Sequence, residues 1–155
     1  MAYLISPTGD QSRGDRAELR ATILLVGCGG TGGFLAEAVC RLLIGRRSRL
    51  YLVDHDRIEP HNVARQAFDR CDVGRFKAEV LAERLARRFQ REVGYSVLPY
   101  DRELHARVFR DASVDLCLVL GCVDNAAARR AIATTLDLSS WNASRHGRVW
   151  WLDSV

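Results

Sequence analysis

The sequence predicts an α/β fold, a doubly wound and mainly parallel sheet with helices on both faces. Three observations carry the prediction. Short apolar runs alternate with helical patterns along most of the chain, as a parallel sheet with crossover helices requires. A glycine loop, Gly27-Cys28-Gly29-Gly30-Thr31-Gly32-Gly33, follows the first apolar run and opens the first helical pattern. An aspartate, Asp54, ends the next apolar run a little over 20 residues on, the arrangement of a Rossmann-like nucleotide fold.

The elements follow in order. Residues 1–20 are polar and glycine-punctuated, with one short helical pattern at Arg16–Leu19, and read as a leader to a single domain over 21–155. Strands are predicted at Ala21–Val26, Leu50–Val53, Ser96–Leu98, Leu116–Leu120 and Val149–Leu152, in the order 3-2-1-4-5. The first helix, near Thr31–Ile44, is expected to bury Leu35, Val39, Leu42 and Leu43 and to stop at Gly45. A second, near Arg75–Arg91, would bury Ala78, Leu81, Leu85 and Phe89, with Asp72 as its cap and Lys77 in its first turn. Shorter helices are expected near Glu103–Arg110 and Asn125–Leu138.

At 155 residues, 48% hydrophobic and 27% charged, the chain has room for one cored domain and no second. The net charge of +4 reads mainly as solvated arginine faces and also suits a polyanion such as ATP. Nucleic-acid binding is disfavoured, since no recognition motif or aromatic-interleaved basic stripe is present. No run approaches a membrane span and no basic-then-apolar signal opens the chain. Cys28, Cys40, Cys71, Cys117 and Cys122 are odd in number and form no Cys-x-x-Cys pair, which argues against a disulfide framework and a four-cysteine zinc site and makes a reducing cytoplasm the expected setting. Cys28 and Cys71 lie near positive charge and are either reactive or plain small side chains; Cys117 and Cys122 bracket a strand end and read as structural.

In a doubly wound sheet, ligands bind beyond the carboxyl ends of the strands where strand order reverses. The glycine loop (Gly27, Gly29, Gly30, Gly32), Asp54, and Asp124 with Asn125 after the fourth strand should therefore open onto one crevice. The loop and Asp54 alone suit NAD as well as ATP, Asp54 being a ribose acid or a solvated strand end. ATP chemistry adds a leaving pyrophosphate whose growing charge needs cations. Arg65, a planar fork, and Lys77, a point charge and the only lysine among 23 basic residues, would supply them, unless Lys77 is ordinary surface. Asp124 is a hard oxygen ligand for Mg2+ or else a helix cap. His55, Asp56, Glu59 and His61 cluster without a recognised metal-ligand spacing.

Five motifs in order carry a family resemblance: Gly27–Gly32, Leu52-Val53-Asp54-His55-Asp56, Asn62-Val63-Ala64-Arg65-Gln66, Asp72-Val73-Gly74-Arg75-Phe76-Lys77-Ala78-Glu79, and Asp124-Asn125. Over residues 21–153 the chain resembles the ThiF, MoeB and ubiquitin-activating enzyme superfamily, and among its branches most resembles the ThiF-family proteins of PRTRC gene systems. The resemblance implies ATP-dependent adenylation of a carboxylate, typically the C-terminus of a ubiquitin-like or sulfur-carrier protein, with release of pyrophosphate. It further implies a homodimer. By it, the glycine loop and Asp54 hold nucleotide, Asn62, Arg65 and Lys77 stabilise phosphate charge, Asp124 positions magnesium, and Gln66 and Asn125 belong to the nucleotide pocket.

Relatives carry later segments that cannot be matched here: a crossover, an acyl-accepting cysteine and two zinc-binding Cys-x-x-Cys pairs. The sequence therefore reads as the nucleotide-binding portion of such a protein, cut after its fifth strand, with Trp150 and Trp151 either left partly uncovered or serving as simple core. A family arginine that reaches the partner's nucleotide has possible counterparts in Arg13, Arg16 and Arg20, none fixed by a motif. An NAD-dependent oxidoreductase and a non-catalytic partner-binding relative stand as competing readings.

Overall fold

The computed structural model describes residues 20–110, 114–136 and 149–154. Five strands, β1 (Ala21–Val26), β2 (Arg49–Val53), β3 (Gly94–Ser96), β4 (Leu116–Gly121) and β5 (Val149–Asp153), form one sheet in the order β3-β2-β1-β4-β5. Every pairing is parallel. The predicted topology is the one found.

β1 runs down the middle and is buried on every residue, as its unbroken apolar sequence requires. Its alternation divides the core. Ile23 and Leu25 pack with Ala36, Val39 and Cys40 of α1 (Gly30–Leu42) and Ala78, Leu81 and Leu85 of α2 (Lys77–Phe89). Leu24 and Val26 face the other layer, where Val108 of α3 (Arg102–Val108) and Ile132 of α4 (Ala126–Thr135) close over β4. Asp101 caps α3 by accepting from the Leu104 amide at 2.8 Å.

Several boundaries differ from expectation for identifiable reasons. The buried stripe of α1 runs through Gly32, Ala36, Val39, Cys40 and Leu43, so Leu42 falls off it and is 69% exposed. Gly45 takes a left-handed φ of 72°, as expected of a residue that stops a helix. β3 lies two residues earlier than predicted. Gly94 lets the Tyr51 ring approach to within 2.3 Å of where a Cβ would stand, and Ser96 Oγ accepts from the Leu98 amide, turning the chain before Pro99. α2 begins at Lys77, with Phe76 at its cap position, and Asp72 does not cap it. Asp72 instead closes a 3-10 turn at Arg70–Asp72, accepting from the Asp69 amide at 2.8 Å. α4 is capped by Asn125, whose Oδ1 accepts from Ala128 N at 2.8 Å, so Asp124 is not the cap. The predicted helical pattern at Arg16–Leu19 and the end of the fourth helix at 137–138 lie outside the described residues.

At the sheet edge, Trp150 and Leu152 of β5 are more than half exposed and Trp151 is 39% exposed. Arg129 of α4 holds the strand's end through Asp153, Nε to Oδ2 at 3.1 Å.

The turn after β1 leaves no room for a side chain at two of its glycines. Gly27 has φ 95°, and a Cβ at Gly32 would stand 1.8 Å from the Gly27 carbonyl oxygen. Gly32→Ala should therefore lower stability by about 3 kcal/mol or more, because backbone cannot yield as a side chain can. Gly29→Ala, whose Cβ would meet nothing closer than 3.8 Å, should cost less than about 1 kcal/mol. Urea denaturation reads both, and equal midpoints for the two variants would contradict the packing described.

Candidate functional site

The glycine loop leaves β1 and enters α1 without a side-chain cap: Gly29 is the N-cap residue, and the first-turn amides of the helix have no intrahelical partner. Such a helix end favours an anion. Gly27 and Gly32 serve packing, against Cys122 O and Gly27 O respectively. Gly29 and Gly30 serve access, since their missing Cβ atoms would face Gln66 Nε2 at 3.8 Å and Arg65 O at 3.6 Å. The loop thus lies against the Arg65–Gln66 segment that the sequence placed in the same site.

Asp54 is buried at the end of β2, and both carboxylate oxygens are engaged. Oδ2 accepts from the Cys28 amide inside the glycine loop at 2.7 Å, and Oδ1 accepts from the Asp56 amide at 2.8 Å. Its own amide donates to Ser96 O of β3 at 3.1 Å. Burial pushes the Asp54 carboxyl above its ordinary range, and the two amide donors only partly offset that. The aspartate is thus not a solvated strand end. It ties the phosphate-loop backbone to the loop that follows β2.

That following loop is folded back on itself. Ile58 N donates to Arg75 O and Gly74 N to Ile58 O, while Arg57 lies over the Phe76 ring at 3.9 Å and donates to Gly74 O at 2.6 Å. The closure brings Lys77 back to Asp56: Lys77 N donates to Asp56 O, and Lys77 Nζ to Asp56 Oδ2, each at 2.9 Å. Lys77 is buried, not ordinary surface. Asn62 is buried too, and its Oδ1 accepts from Glu59 N at 2.9 Å, fixing the 3-10 turn at Pro60–Asn62. The amides of Arg65 and Gln66 both donate to Asn62 O, so this turn sets where the two residues stand. The Arg65 side chain is exposed, and Gln66 Oε1 is a buried atom without a hydrogen-bond partner among the described residues.

Sequence reasoning did not foresee two residues here. Asp56 was grouped with a loose metal cluster, although its place two residues after Asp54 was a signal. Arg84 of α2 gave none: it reaches Asp72 Oδ2 at 2.7 Å, Asp69 Oδ2 at 3.0 Å and Ala67 O, pinning the stretch that carries Arg65 and Gln66.

The four-residue metal cluster divides. His61 Nδ1 pairs with Glu59 Oε2 at 3.3 Å, while Asp54, His55 and Asp56 offer ligand atoms within 4.8 Å of one another. The Lys77 ammonium on Asp56 and the amides on Asp54 already meet that charge, which argues against a cation there. Asp124 lies outside this group, exposed beyond β4, two residues after Cys122, whose Cβ stands 3.3 Å from where one at Gly32 would be. Asn125 uses its side-chain oxygen as the α4 cap and approaches Asp124 Oδ1 at 3.4 Å. Cys28 is fully buried, and burial together with Asp54 raises its thiol well above the ordinary value, so it is a plain packing residue. Burial likewise raises Cys117 and Cys122. All five cysteines are free. Of the three N-terminal arginines, Arg20 is described, its amide donating to Asp115 Oδ2 at 2.8 Å.

A doubly wound domain with a glycine loop opening a helix, cross-tied through a second loop to a lysine at the start of the next helix, belongs to the nucleotide-binding α/β class. The sequence matches the ThiF family over residues 9–136, and the chain belongs to that family. Ubiquitin-like modifier-activating enzyme 5 of Branchiostoma floridae is 33% identical over 141 residues, spanning 83% of this chain and 32% of the relative. Mouse (Mus musculus) adenylyltransferase and sulfurtransferase MOCS3 is 37% identical over 120 residues, spanning 75% and 25%. The chain thus spans about a third or less of the length of these relatives. Among solved structures, E. coli tRNA N6-threonylcarbamoyladenosine dehydratase, TcdA, in complex with AMP, superposes with a TM-score of 0.62 at 25% identity, covering 84% of this chain and 50% of that one. The same enzyme has been solved with ATP.

A folded Asp54 that holds its proton more tightly than the unfolded chain contributes stability that is fully present below the ordinary value of 3.8 and lost as pH rises through the folded value. Asp54→Asn removes that titration. The stability of the wild type relative to Asp54→Asn should fall as pH is raised from 3.8, measured by urea denaturation at each pH. A relative stability that climbs with pH would mean the ionised carboxylate is the favoured form.

Proposed function

We propose that the protein activates a carboxylate by adenylation with ATP, the carboxylate being the C-terminus of a ubiquitin-like or sulfur-carrier protein. The observation that carries this reading is the tie between the glycine loop and Lys77 through Asp54 and Asp56. An NAD site needs the loop and an acid. It gives no task to a buried lysine and to Arg65 standing against the same loop. Membership of the ThiF family and the activating and adenylyltransferase names of the relatives support the same conclusion.

The residues fit a nucleotide triphosphate. Gly29 and Gly30 leave room for phosphate oxygens beside the first-turn amides of α1, and the amide nitrogen of Gln66, a donor, lies 3.8 Å from where a Cβ at Gly29 would stand. Asp54 orders the loop backbone, and any hydrogen bond to a ribose hydroxyl would be shared with its two amides. Asn62 places Arg65 and Gln66 through its backbone oxygen and its cap. Asp124, beyond β4 and free of capping duty, would hold Mg2+ on the phosphates, with Asn125 beside it.

In the reaction an oxygen of the substrate carboxylate bonds to the α-phosphorus while the bond from that phosphorus to the bridging oxygen breaks. The electron pair leaves with pyrophosphate, and no proton moves, because a carboxylate is already ionised near neutral pH. The protein's contribution is placement and charge: Arg65 as a fork and Lys77 as a point charge offset the charge growing on the leaving group. We place the protein in a reducing cytoplasm, consistent with its free cysteines, and as a homodimer whose contact surface includes exposed apolar residues such as those of β5.

Pyrophosphate exchange tests the assignment in one experiment. Arg65→Ala and Lys77→Ala should each lower the exchange rate by about 100-fold or more while leaving the fold intact, and Asp124→Ala should shift the magnesium titration to higher concentration. Unchanged exchange in the arginine and lysine variants would remove them from the mechanism.

A further inference from the structure

Lys77 and Asp56 are joined through backbone and side chain, and their surroundings are unequal. The lysine side chain is 10% exposed and its partner carboxylate 55% exposed. Lys77 is the first residue of α2, where the helix dipole opposes a positive charge, so the ammonium depends on an anion beside it. Asp56 is the carboxylate that meets it. The backbone of Asp56 is in turn held by Asp54, whose other oxygen grips Cys28 in the glycine loop. One residue therefore separates the anion on Lys77 from the loop that would cradle phosphates.

We propose that the Asp56 carboxylate is a stand-in for phosphate: it holds Lys77 until the β- and γ-phosphates of an incoming nucleotide displace it. The inference rests on the nucleotide-activation reading above and adds a selection rule to it. A triphosphate must break the Lys77–Asp56 pair and come to rest beside a like charge, so Asp56 weakens its binding. AMP carries no β- or γ-phosphate, leaves the pair intact and is indifferent to it. Asp56 thus tunes affinity for the phosphate tail alone, and with it the ease with which pyrophosphate leaves.

Calorimetric titration of the chain with ATP and with AMP separates the possibilities. Asp56→Asn, which keeps shape and removes charge, should tighten ATP about three- to tenfold and leave AMP unchanged, the scale expected for one partly exposed ion pair plus relief of one repulsion. Asp56→Glu should restore the wild-type ratio of the two affinities. Asp56→Ala, also at an exposed position, should behave as the asparagine variant does. Weaker or unchanged ATP binding in Asp56→Asn and Asp56→Ala, with thermal unfolding like the wild type, would overturn the proposal and make Asp56 a residue that merely positions Lys77 or stands outside the site. Equal loss of both nucleotides would overturn it as well, as a structural effect. If the wild type binds neither ATP nor AMP, the reading beneath the proposal fails first, and that failure is visible before any variant is compared.

Discussion

A single carbonyl oxygen governs the region above the sheet. The oxygen of Gly27 lies where the first carbon of any side chain at Gly32 would stand, and a Cβ at Gly27 would in turn come within 2.6 Å of Cys122 O. β1, the start of α1 and the end of β4 can meet this closely only because those two positions carry no side chain. The consequence is chemical as much as architectural. α1 begins directly over the central strand, its first amides face the space beside Gly29 and Gly30, and the chain leaving β4 is held at the same place.

On that constraint a second layer is built from charge. Asp54 is held in a buried position where ionisation is disfavoured, yet it carries the two amides that join the glycine loop to the loop after β2. Arg84 gathers Asp69, Asp72 and the Ala67 carbonyl into one cluster from the far side. Pairs of this kind contribute little when fully exposed. Here they cross-link a long connection between β2 and α2 at several points along its length. Arg65 and Gln66 are thus placed by the Asn62 turn and the Arg84 cluster, and Lys77 by Asp56.

The sheet order and the strands β1, β2, β4 and β5 were legible in the sequence because apolar runs of that length, separated by helical patterns, have few other ways to be buried. The glycine loop and Lys77 were legible through composition, a glycine cluster after a strand and a solitary lysine. Helix starts were less so. Asp72 looked like a cap because capping residues are recognised by type, and only the fold shows that the same carboxylate closes an earlier turn and receives Arg84. Leu42 looked buried because a helical stripe can be drawn through it, yet the sheet lies nearer to Ala36 and Cys40. Asp56 went unrecognised for a related reason: its partner is a lysine 21 residues away, which the antiparallel bridge between Arg57 and Phe76 brings back.

The proposed adenylation requires that the ties between the glycine loop and Lys77 serve a triphosphate rather than a dinucleotide. Direct titration of the chain with ATP in the presence of magnesium, against NAD under the same conditions, addresses this most directly. Saturable binding of ATP and none of NAD over the same concentrations is the expected result. Tight binding of NAD with no response to ATP and magnesium would contradict it.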